Sequence, residues 1–197
     1  MNTIRTGLGL AAIALCCTGC ALLNKTDSAA APIAGGTVTP ATAAATPYVW
    51  SASMEAKRVA VERASADSGI AVLRTTDNQL QINVPSDFSF DTDSAAIKPA
   101  MRPVLDQVAQ DLEIASMSQM LILVVGHTDS RGTSTVNEAL SRARALSVRK
   151  YLEGKGVASA RIAVEGHGER EPLVDNGQSY GRALNRRVEI FLREPGA

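Results

Sequence analysis

The sequence MLILVVGHTDSRGTSTVNEALSRARALSVRKYLEGKG, residues 120–156, contains an apolar strand, a polar loop and an amphipathic helix in direct succession. Residues 120–125 form an unbroken apolar run, which predicts a strand buried on both faces of a sheet. A helix is predicted from about 136 to 153 and ends at Gly154. The loop 126–132 therefore follows the carboxyl end of a buried strand, where open sheets tend to place ligands.

The rest of the chain predicts short strands and helices on both sides of this unit. Before it we predict a helix over 51–67 with Ser51 as N-cap, a β-hairpin over 70–84, a strand over 88–90, and a helix with the apolar stripe Met101, Leu105, Val108 and Leu112. After it we predict a strand over 162–164, a helical turn over 181–184 and a strand over 188–192. The order β-α-β-α-β-β predicts an α+β sandwich of helices on one mixed sheet.

Composition and charge exclude some classes of protein. The 197 residues include 20 basic and 20 acidic side chains, and only 4% are aromatic. A nucleic-acid-binding protein usually has a basic face, and single-strand binders add aromatic platforms, so we predict no nucleic-acid partner. Residues 86–130 contain seven acidic and two basic side chains, whereas residues 131–197 contain twelve basic and eight acidic ones. Folding brings these segments together, which favours a ligand with both charges over a polyanion.

The N-terminal region predicts export followed by a flexible tether. All three cysteines, Cys16, Cys17 and Cys20, lie within the first twenty residues, so nothing later can form an intrachain disulfide or a cysteine-based zinc site. Residues 7–17 are apolar but too short to span a bilayer, which matches the core of a signal peptide. A buried N-terminal helix of a cytosolic protein is the alternative. Residues 29–47 are mostly Ala, Thr, Pro and Gly, and they predict a disordered tether.

One arginine falls inside the apolar stripe of the predicted helix over 136–153. At about 100° per residue, this stripe contains Leu140, Val148, Tyr151 and Leu152 together with Asn137 and Arg144, while Arg142, Arg149 and Lys150 point elsewhere. A buried arginine needs an anionic partner or ligand. A structural salt bridge to Asp129 or Asp91 would satisfy this need. So would a ligand that places its own ammonium and carboxylate between Asp129 and Arg144.

The end of the apolar run resembles a bacterial lipobox. Residues 15–20 read Leu-Cys-Cys-Thr-Gly-Cys, with small residues before the final cysteine. The resemblance implies a signal peptide over 1–19, cleavage before Cys20, acylation of Cys20, and a lipidated N-terminus and linker over 20–50. The residue after Cys20 is Ala21 rather than Asp, which resembles the signal that sorts such lipoproteins to the outer membrane. The implied location is the outer membrane, anchored by lipid and facing the periplasm.

A series of motifs, in order, resembles the OmpA C-terminal-like domain. They are Phe-Asp-Thr-Asp-Ser at 90–94, Gly-His-Thr-Asp-Ser-Arg-Gly at 126–132, Asn137, Leu-Ser-Arg-Ala-Arg-Ala at 140–145, Val148, Gly-Lys-Gly-Val at 154–157, Arg-Ile at 161–162, Gly-His-Gly-Glu at 166–169, Pro172, and the segment 181–190. The match covers residues 83–193. It divides the folded part into a short helix and hairpin over 51–84 and an OmpA-like domain over 85–197. Peptidoglycan-associated lipoproteins share both this domain and a lipid anchor.

The resemblance implies a binding module without enzymatic activity, which tethers the outer membrane to the cell wall. The family binds peptidoglycan non-covalently through meso-diaminopimelate in the stem peptide. By this resemblance Asp129 binds the ammonium group and Arg144 the carboxylate of that side chain. The other site residues that it implies are Asp91, Thr92, Thr128, Asn137 and Arg186. No cofactor and no metal are implied. The hairpin is more like that of stand-alone OmpA-family lipoproteins, so no protein partners are carried over.

Three alternative functions start from other features. Residues 177–181 match the nucleophile-elbow pattern G-x-S-x-G, but that motif needs a preceding strand and a later histidine, and both histidines precede Ser179. A zinc site is a second alternative, with the candidate ligands His127, Asp129, His167 and Glu169. Structural roles in loops account for those residues more simply. The third alternative is a periplasmic protein-interaction module with weak or no wall binding.

Overall fold

The computed structural model describes residues 49–196. The predicted signal peptide over 1–19, the lipidated Cys20 and residues 20–48 of the predicted linker lie outside the described residues. Within the described range, no helix has both the length and the apolar character that a membrane crossing requires. Trp50, the last residue of the predicted linker, is buried, and its Nε1 donates a 2.6 Å hydrogen bond to the carbonyl oxygen of Asn78. The folded part therefore includes Trp50.

Residues 49–196 contain five α-helices and five β-strands. In chain order these are α1 (Ala52–Ala64), β1 (Ala71–Arg74), β2 (Leu80–Pro85), α2 (Ser86–Ser89), α3 (Arg102–Ala109), β3 (Leu121–His127), α4 (Ser134–Gly154), β4 (Ile162–Gly168), α5 (Ser179–Asn185) and β5 (Arg187–Arg193). Short 3₁₀ turns over Pro99–Met101 and Ser159–Arg161 precede α3 and β4.

The five strands form one mixed sheet in the order β1-β2-β5-β3-β4. β3 and β4 are parallel and are connected by α4, whereas the other neighbours are antiparallel. Alternate residues of the strands enter a common core with the helices: Leu80, Ile82, Val84, Ile122, Val124, Val188, Ile190 and Leu192 pack with Met54, Leu105, Val148 and Leu152. The predicted α+β class is confirmed, and the predicted hairpin is part of the same sheet as the rest of the domain.

Several local predictions can be compared directly with these elements. Ser51 caps α1 as predicted, because its Oγ accepts a 3.1 Å hydrogen bond from the backbone N–H of Met54. The strand predicted over 88–90 is wrong: residues 86–89 form one helical turn, closed by a bond from the N–H of Phe90 to the carbonyl of Ser86. Pro85 ends β2 just before this turn, and Phe90 enters the core from it. Phe90 is therefore buried because it follows a helical turn, and not because it belongs to a strand.

β3 is buried on both faces only near its carboxyl end. Val125 and His127 are buried, but Leu121 at the other end is 53% exposed, so the prediction of full burial over 120–125 is wrong for the start of the strand. Gly126 explains how closely α4 lies against this buried end. A Cβ atom on Gly126 would lie 2.1 Å from the backbone oxygen of Ser141, and one on Gly166 of β4 would be obstructed by Arg142. The absence of two side chains thus lets α4 rest directly on the sheet beside loop 128–133.

Candidate functional site

A cleft of about 690 Å³ lies where the carboxyl end of β3, the first half of α4 and the segment after α2 meet. All seven binding residues that the resemblance implied line this one cleft: Asp91, Thr92, Thr128, Asp129, Asn137, Arg144 and Arg186. The other charged residues in its lining are Asp87, Asp93, Lys98 and Arg131. The structure therefore brings together side chains from four separate parts of the chain.

Arg144 is 4% exposed and lies in the wall of the cleft. Its Nε donates a 2.9 Å hydrogen bond to the carbonyl oxygen of Ser94, and its Nη2 donates one of 3.3 Å to that of Asp91. Its guanidinium carbon lies 5.3 Å from the centre of the Phe90 ring. Arg144 forms no salt bridge with any residue in the range 49–196, so the first of the two alternatives, a structural salt bridge to Asp129 or Asp91, is not formed.

The environment of Arg144 leaves a positive charge only partly compensated. Burial lowers the pKa of its guanidinium, although the nearby carboxylates of Asp87, Asp93 and Asp129 act in the opposite direction. A guanidinium has five N–H donors, and the two backbone carbonyls use two of them. The remaining donors make no hydrogen bond within the described part of the chain. They are available to an anionic group that enters the cleft.

Asp129 is buried, and its two carboxylate oxygens have different partners. Oδ1 accepts a 2.9 Å hydrogen bond from the backbone N–H of Arg131, which tightens the loop after β3. Oδ2 accepts a 2.8 Å hydrogen bond from Nη1 of Arg186, at the start of β5. The charge partner of Asp129 is therefore Arg186. The carboxylate is held in one orientation at the wall of the cleft.

Arg186 joins Asp129 to a second carboxylate, that of Asp87. Its Nη2 and Nε donate hydrogen bonds of 2.7 and 3.1 Å to the two oxygens of Asp87. These bonds raise the pKa of Arg186 and lower the pKa of Asp87. Sequence reasoning missed Asp87. The available signal was its position just after β2, because antiparallel pairing of β2 with β5 brings it next to Arg186.

Asn137 fastens the loop after β3 to the end of β4. Its Nδ2 donates a 3.2 Å hydrogen bond to the carbonyl oxygen of Asp129 and one of 2.6 Å to Oε2 of Glu169. The first turn of α4 that carries Asn137 is capped by Thr133, whose Oγ1 accepts from the N–H of Val136. Asn137 is 4% exposed, so it forms part of the buried wall of the cleft and holds the backbone of Asp129 in place.

The remaining three predicted residues differ in exposure. Thr128 is buried, its N–H donates a 2.8 Å bond to the carbonyl of Gly168, and its Oγ1 has no hydrogen-bond partner within residues 49–196. Asp91 and Thr92 are exposed and form the rim, where the Asp91 carboxylate lies 3.6 Å from Nζ of Lys98. Thr128 thus belongs to the wall and the other two to the mouth of the cleft.

The structure also bears on two of the alternatives raised by the sequence, the nucleophile elbow at 177–181 and the zinc site with Asp129 and Glu169. Ser179 begins α5, and the preceding residues 169–178 are turns and bends, so the strand that a nucleophile elbow requires is not present there. The carboxylates of Asp129 and Glu169 are bonded to Arg186 and Asn137. Neither carboxylate belongs to the group of donor atoms that the described residues place within 4.8 Å of one another around the two histidines, so the alternative zinc site with Asp129 and Glu169 is not formed.

Comparison with known proteins shows to which family the chain belongs. The OmpA family model matches residues 89–186. The peptidoglycan-associated lipoprotein of Pseudomonas aeruginosa is 34% identical over 125 residues, which is 64% of this chain and 72% of that protein. The chain belongs to the OmpA family. This confirms the resemblance inferred from the ordered motifs. Domains of the OmpA, peptidoglycan-associated lipoprotein and MotB type are structural modules and not enzymes, so the prediction of no enzymatic activity is also confirmed.

Two further OmpA-type proteins show how far the similarity extends. Outer membrane protein A of Bordetella avium is 46% identical over 107 residues, which is 54% of each chain. The chain thus spans about half the length of that relative. The solved structure of the cell wall anchor of the T6SS from Pseudomonas aeruginosa has a TM-score of 0.58 and 30% identity, and the alignment covers 68% of this chain and 97% of that one. The two chains therefore share their fold over about two thirds of this chain.

Proposed function

We propose that this OmpA-family chain binds peptidoglycan non-covalently in the cleft and tethers the outer membrane to the cell wall. The observation that carries the proposal is Arg144, a buried guanidinium in the wall of the cleft without a carboxylate partner. Burying an arginine without an anion is costly, and a carboxylate of the ligand would supply that anion. The name of one relative, which associates it with peptidoglycan, supports the same ligand.

The proposed ligand group is the meso-diaminopimelate side chain of the stem peptide, which carries an ammonium and a carboxylate. The carboxylate would bind the free N–H groups of Arg144, because a guanidinium can donate two parallel hydrogen bonds to it. The ammonium would bind Asp129, whose orientation is fixed by Arg186 and the N–H of Arg131. The unpartnered hydroxyl of Thr128 and the rim residues Asp91 and Thr92 would complete the contacts.

The proposed attachment to the outer membrane is argued from the sequence of residues 1–48, which precede the described residues. Residues 15–20 resemble a lipobox, so we propose that Cys20 is the acylated residue. Several acyl chains on one residue give stable anchoring. Residues 29–47 have the composition of a flexible linker between that anchor and the domain. We therefore propose a lipid-anchored protein on the periplasmic face of the outer membrane.

Co-sedimentation with purified sacculi tests the binding proposal. Arg144→Ala should weaken binding by about 30-fold or more, since truncating one member of a desolvated charge pair typically costs ~2–5 kcal/mol. Arg144→Lys should also weaken it markedly, because an ammonium lacks the two-pronged geometry. Arg142→Ala is the matched control: Arg142 is two residues away on α4 and exposed, so binding should not change.

A second comparison in the same assay tests the identity of the ligand. Sacculi with lysine in place of diaminopimelate should bind much more weakly, because lysine lacks the carboxylate that Arg144 would hold. Melting temperatures identify any variant that has lost its fold. The proposal is wrong if folded Arg144→Ala protein sediments with diaminopimelate-type sacculi as well as the wild type does. Equal binding of the two wall types would reject diaminopimelate as the recognised group.

A further inference from the structure

The two histidines of the chain meet at the carboxyl ends of the parallel strands β3 and β4. The register between these strands shifts here: Gly126 pairs with Gly166, but His127 pairs with Gly168, so His167 is an extra residue in a bulge. Gly126 and Gly166 face α4, and the histidines that follow them point to the other face of the sheet. The rings of His127 and His167 are 5.4 Å apart, centre to centre, and nearly perpendicular.

A carboxylate completes a possible ligand set with the two rings. Oε2 of Glu171 lies 3.0 Å from Nδ1 of His167. His127, His167 and Glu171 each offer one donor atom, and the three atoms lie within 4.8 Å of one another. Two ligands of a tetrahedral zinc ion, each about 2.0–2.1 Å from the metal, are roughly 3.4 Å apart. Glu171 is mostly exposed, so its side chain has room to adjust around an ion.

His127 has an unmet requirement for a partner. It is 1% exposed, and neither ring nitrogen makes a hydrogen bond with any residue in the range 49–196. Its Nε2 lies 3.5 Å from Oε2 of Glu189, which is longer than a good hydrogen bond. An imidazole that is buried without a partner costs free energy. A metal ion would supply a partner for Nδ1 and so remove part of that cost.

A second carboxylate stands behind each histidine. Nε2 of His167 lies 2.8 Å from Oε2 of Glu165. Behind His127 is Glu189, which Nε of Arg187 holds in place through a 2.8 Å hydrogen bond. Histidines that bind metals usually present their other ring nitrogen to a carboxylate, which fixes the ring and its tautomer. Nε2 of His167 is thus paired with a carboxylate and Nε2 of His127 faces one at 3.5 Å, which leaves Nδ1 of each ring for a metal.

We propose that His127, His167 and Glu171 bind a Zn²⁺ ion, with a fourth position open to water on the exposed side of Glu171. Two imidazoles and a carboxylate are ligands that zinc accepts with one position left open. The ion would join the ends of β3 and β4 on the sheet face opposite α4. This site is separate from the carboxylate and guanidinium groups of the cleft, so the inference does not depend on peptidoglycan binding.

The test is a zinc titration of the full chain carrying Cys16→Ser, Cys17→Ser and Cys20→Ser, because thiolates would otherwise compete for the metal. Isothermal titration should show one equivalent of Zn²⁺, Zn²⁺ should raise the melting temperature, and Co²⁺ should give the absorption spectrum of a four-coordinate site. His167→Gln and Glu171→Gln should each weaken binding by at least about tenfold. Glu169→Gln is the matched control, because Glu169 accepts a hydrogen bond from Asn137 and is not one of the proposed ligands. The Zn²⁺ affinity of this variant should equal that of the parent.

The variants distinguish a specific zinc site from adventitious binding at surface carboxylates. His167 is partly exposed, so His167→Gln keeps the test decisive even if His127→Gln does not fold. Absence of saturable binding, or equal affinity in His167→Gln, Glu171→Gln and the parent, would overturn the proposal. Sacculus binding measured on the same variants reports on the cleft independently: it should persist in Glu171→Gln whether or not zinc binds.

Discussion

Nη1 of Arg186 lies 2.8 Å from Oδ2 of Asp129, and the same guanidinium binds both oxygens of Asp87. Asp129 therefore reaches the cleft already oriented by a cation, whereas the guanidinium of Arg144 is held by two backbone carbonyls and the ring of Phe90. The two charged walls differ in how they are supported. One is a charge network of Asp87 in α2, Asp129 in the loop after β3 and Arg186 next to β5, and the other is a single buried guanidinium on α4.

The first prediction concerns the charge of Asp129. Asp129→Asn keeps the size of the side chain but removes the negative charge that would hold an ammonium group. We expect sacculus binding to fall by about 30-fold or more. The melting temperature should change little, because Arg186 keeps its bonds to Asp87. Asp93→Asn, an exposed acid in the lining of the same cleft, is the control. If both variants lose binding equally, general acidity of the cleft rather than Asp129 attracts the ligand.

The second prediction concerns acid stability. Hydrogen bonds from Arg186 lower the pKa of Asp87 below its ordinary value near 4. A carboxylate with a lowered pKa in the folded state stabilises the fold above that ordinary pKa, and the contribution is lost as the pH falls through the lowered value. Wild type should therefore melt above Asp87→Asn at pH 7, by a difference worth less than about 1 kcal/mol since the pair is partly exposed. Melting curves from pH 7 to pH 3 should show the difference shrink as the pH falls below the ordinary pKa of Asp87. A difference that grows on acidification would contradict this assignment.

The third prediction concerns the contact of α4 with the sheet. Gly126→Ala would place a Cβ atom 2.1 Å from the backbone oxygen of Ser141, so α4 must shift. We expect a loss of at least about 1–3 kcal/mol in the free energy of unfolding, measured by urea denaturation. Gly154→Ala, at the exposed end of the same helix with no atom within 4 Å, should be neutral or slightly stabilising. Equal stability of the two variants would show that the contact is not tight.

The fourth prediction concerns the anchor. Once residues 1–19 have been removed, Cys20→Ser protein should be released from membranes into the periplasm, because residues 20–50 offer no other group with membrane affinity. Cell fractionation after removal of peptidoglycan measures this. Cys17→Ser, three residues earlier, leaves the acceptor cysteine in place and should remain with the membrane. A Cys20→Ser protein that still fractionates with membranes would refute the lipoprotein assignment.

The strand, loop and helix around the cleft could be predicted because each has a local signal. The apolar run over 120–125 and the periodicity of α4 are visible within single segments, and they gave the correct burial of Arg144. The partner of Asp129 could not be predicted in this way. Arg186 lies 57 residues from Asp129 and 99 from Asp87, and only the insertion of β5 between β2 and β3 brings them together. Periodicity identifies the face of an element but not the distant charge that this face meets.

The position of β5 also determines when the sheet can form. β5 is the last described strand in sequence, yet it is the central one, and it pairs with β2 on one side and β3 on the other. Until residues 187–193 are available, the hairpin β1–β2 and the pair β3–β4 share no strand contact. A chain that lacks residues 187–193 can therefore form β1–β2 and β3–β4 only as two separate strand pairs, and the single five-stranded sheet requires the last strand in sequence.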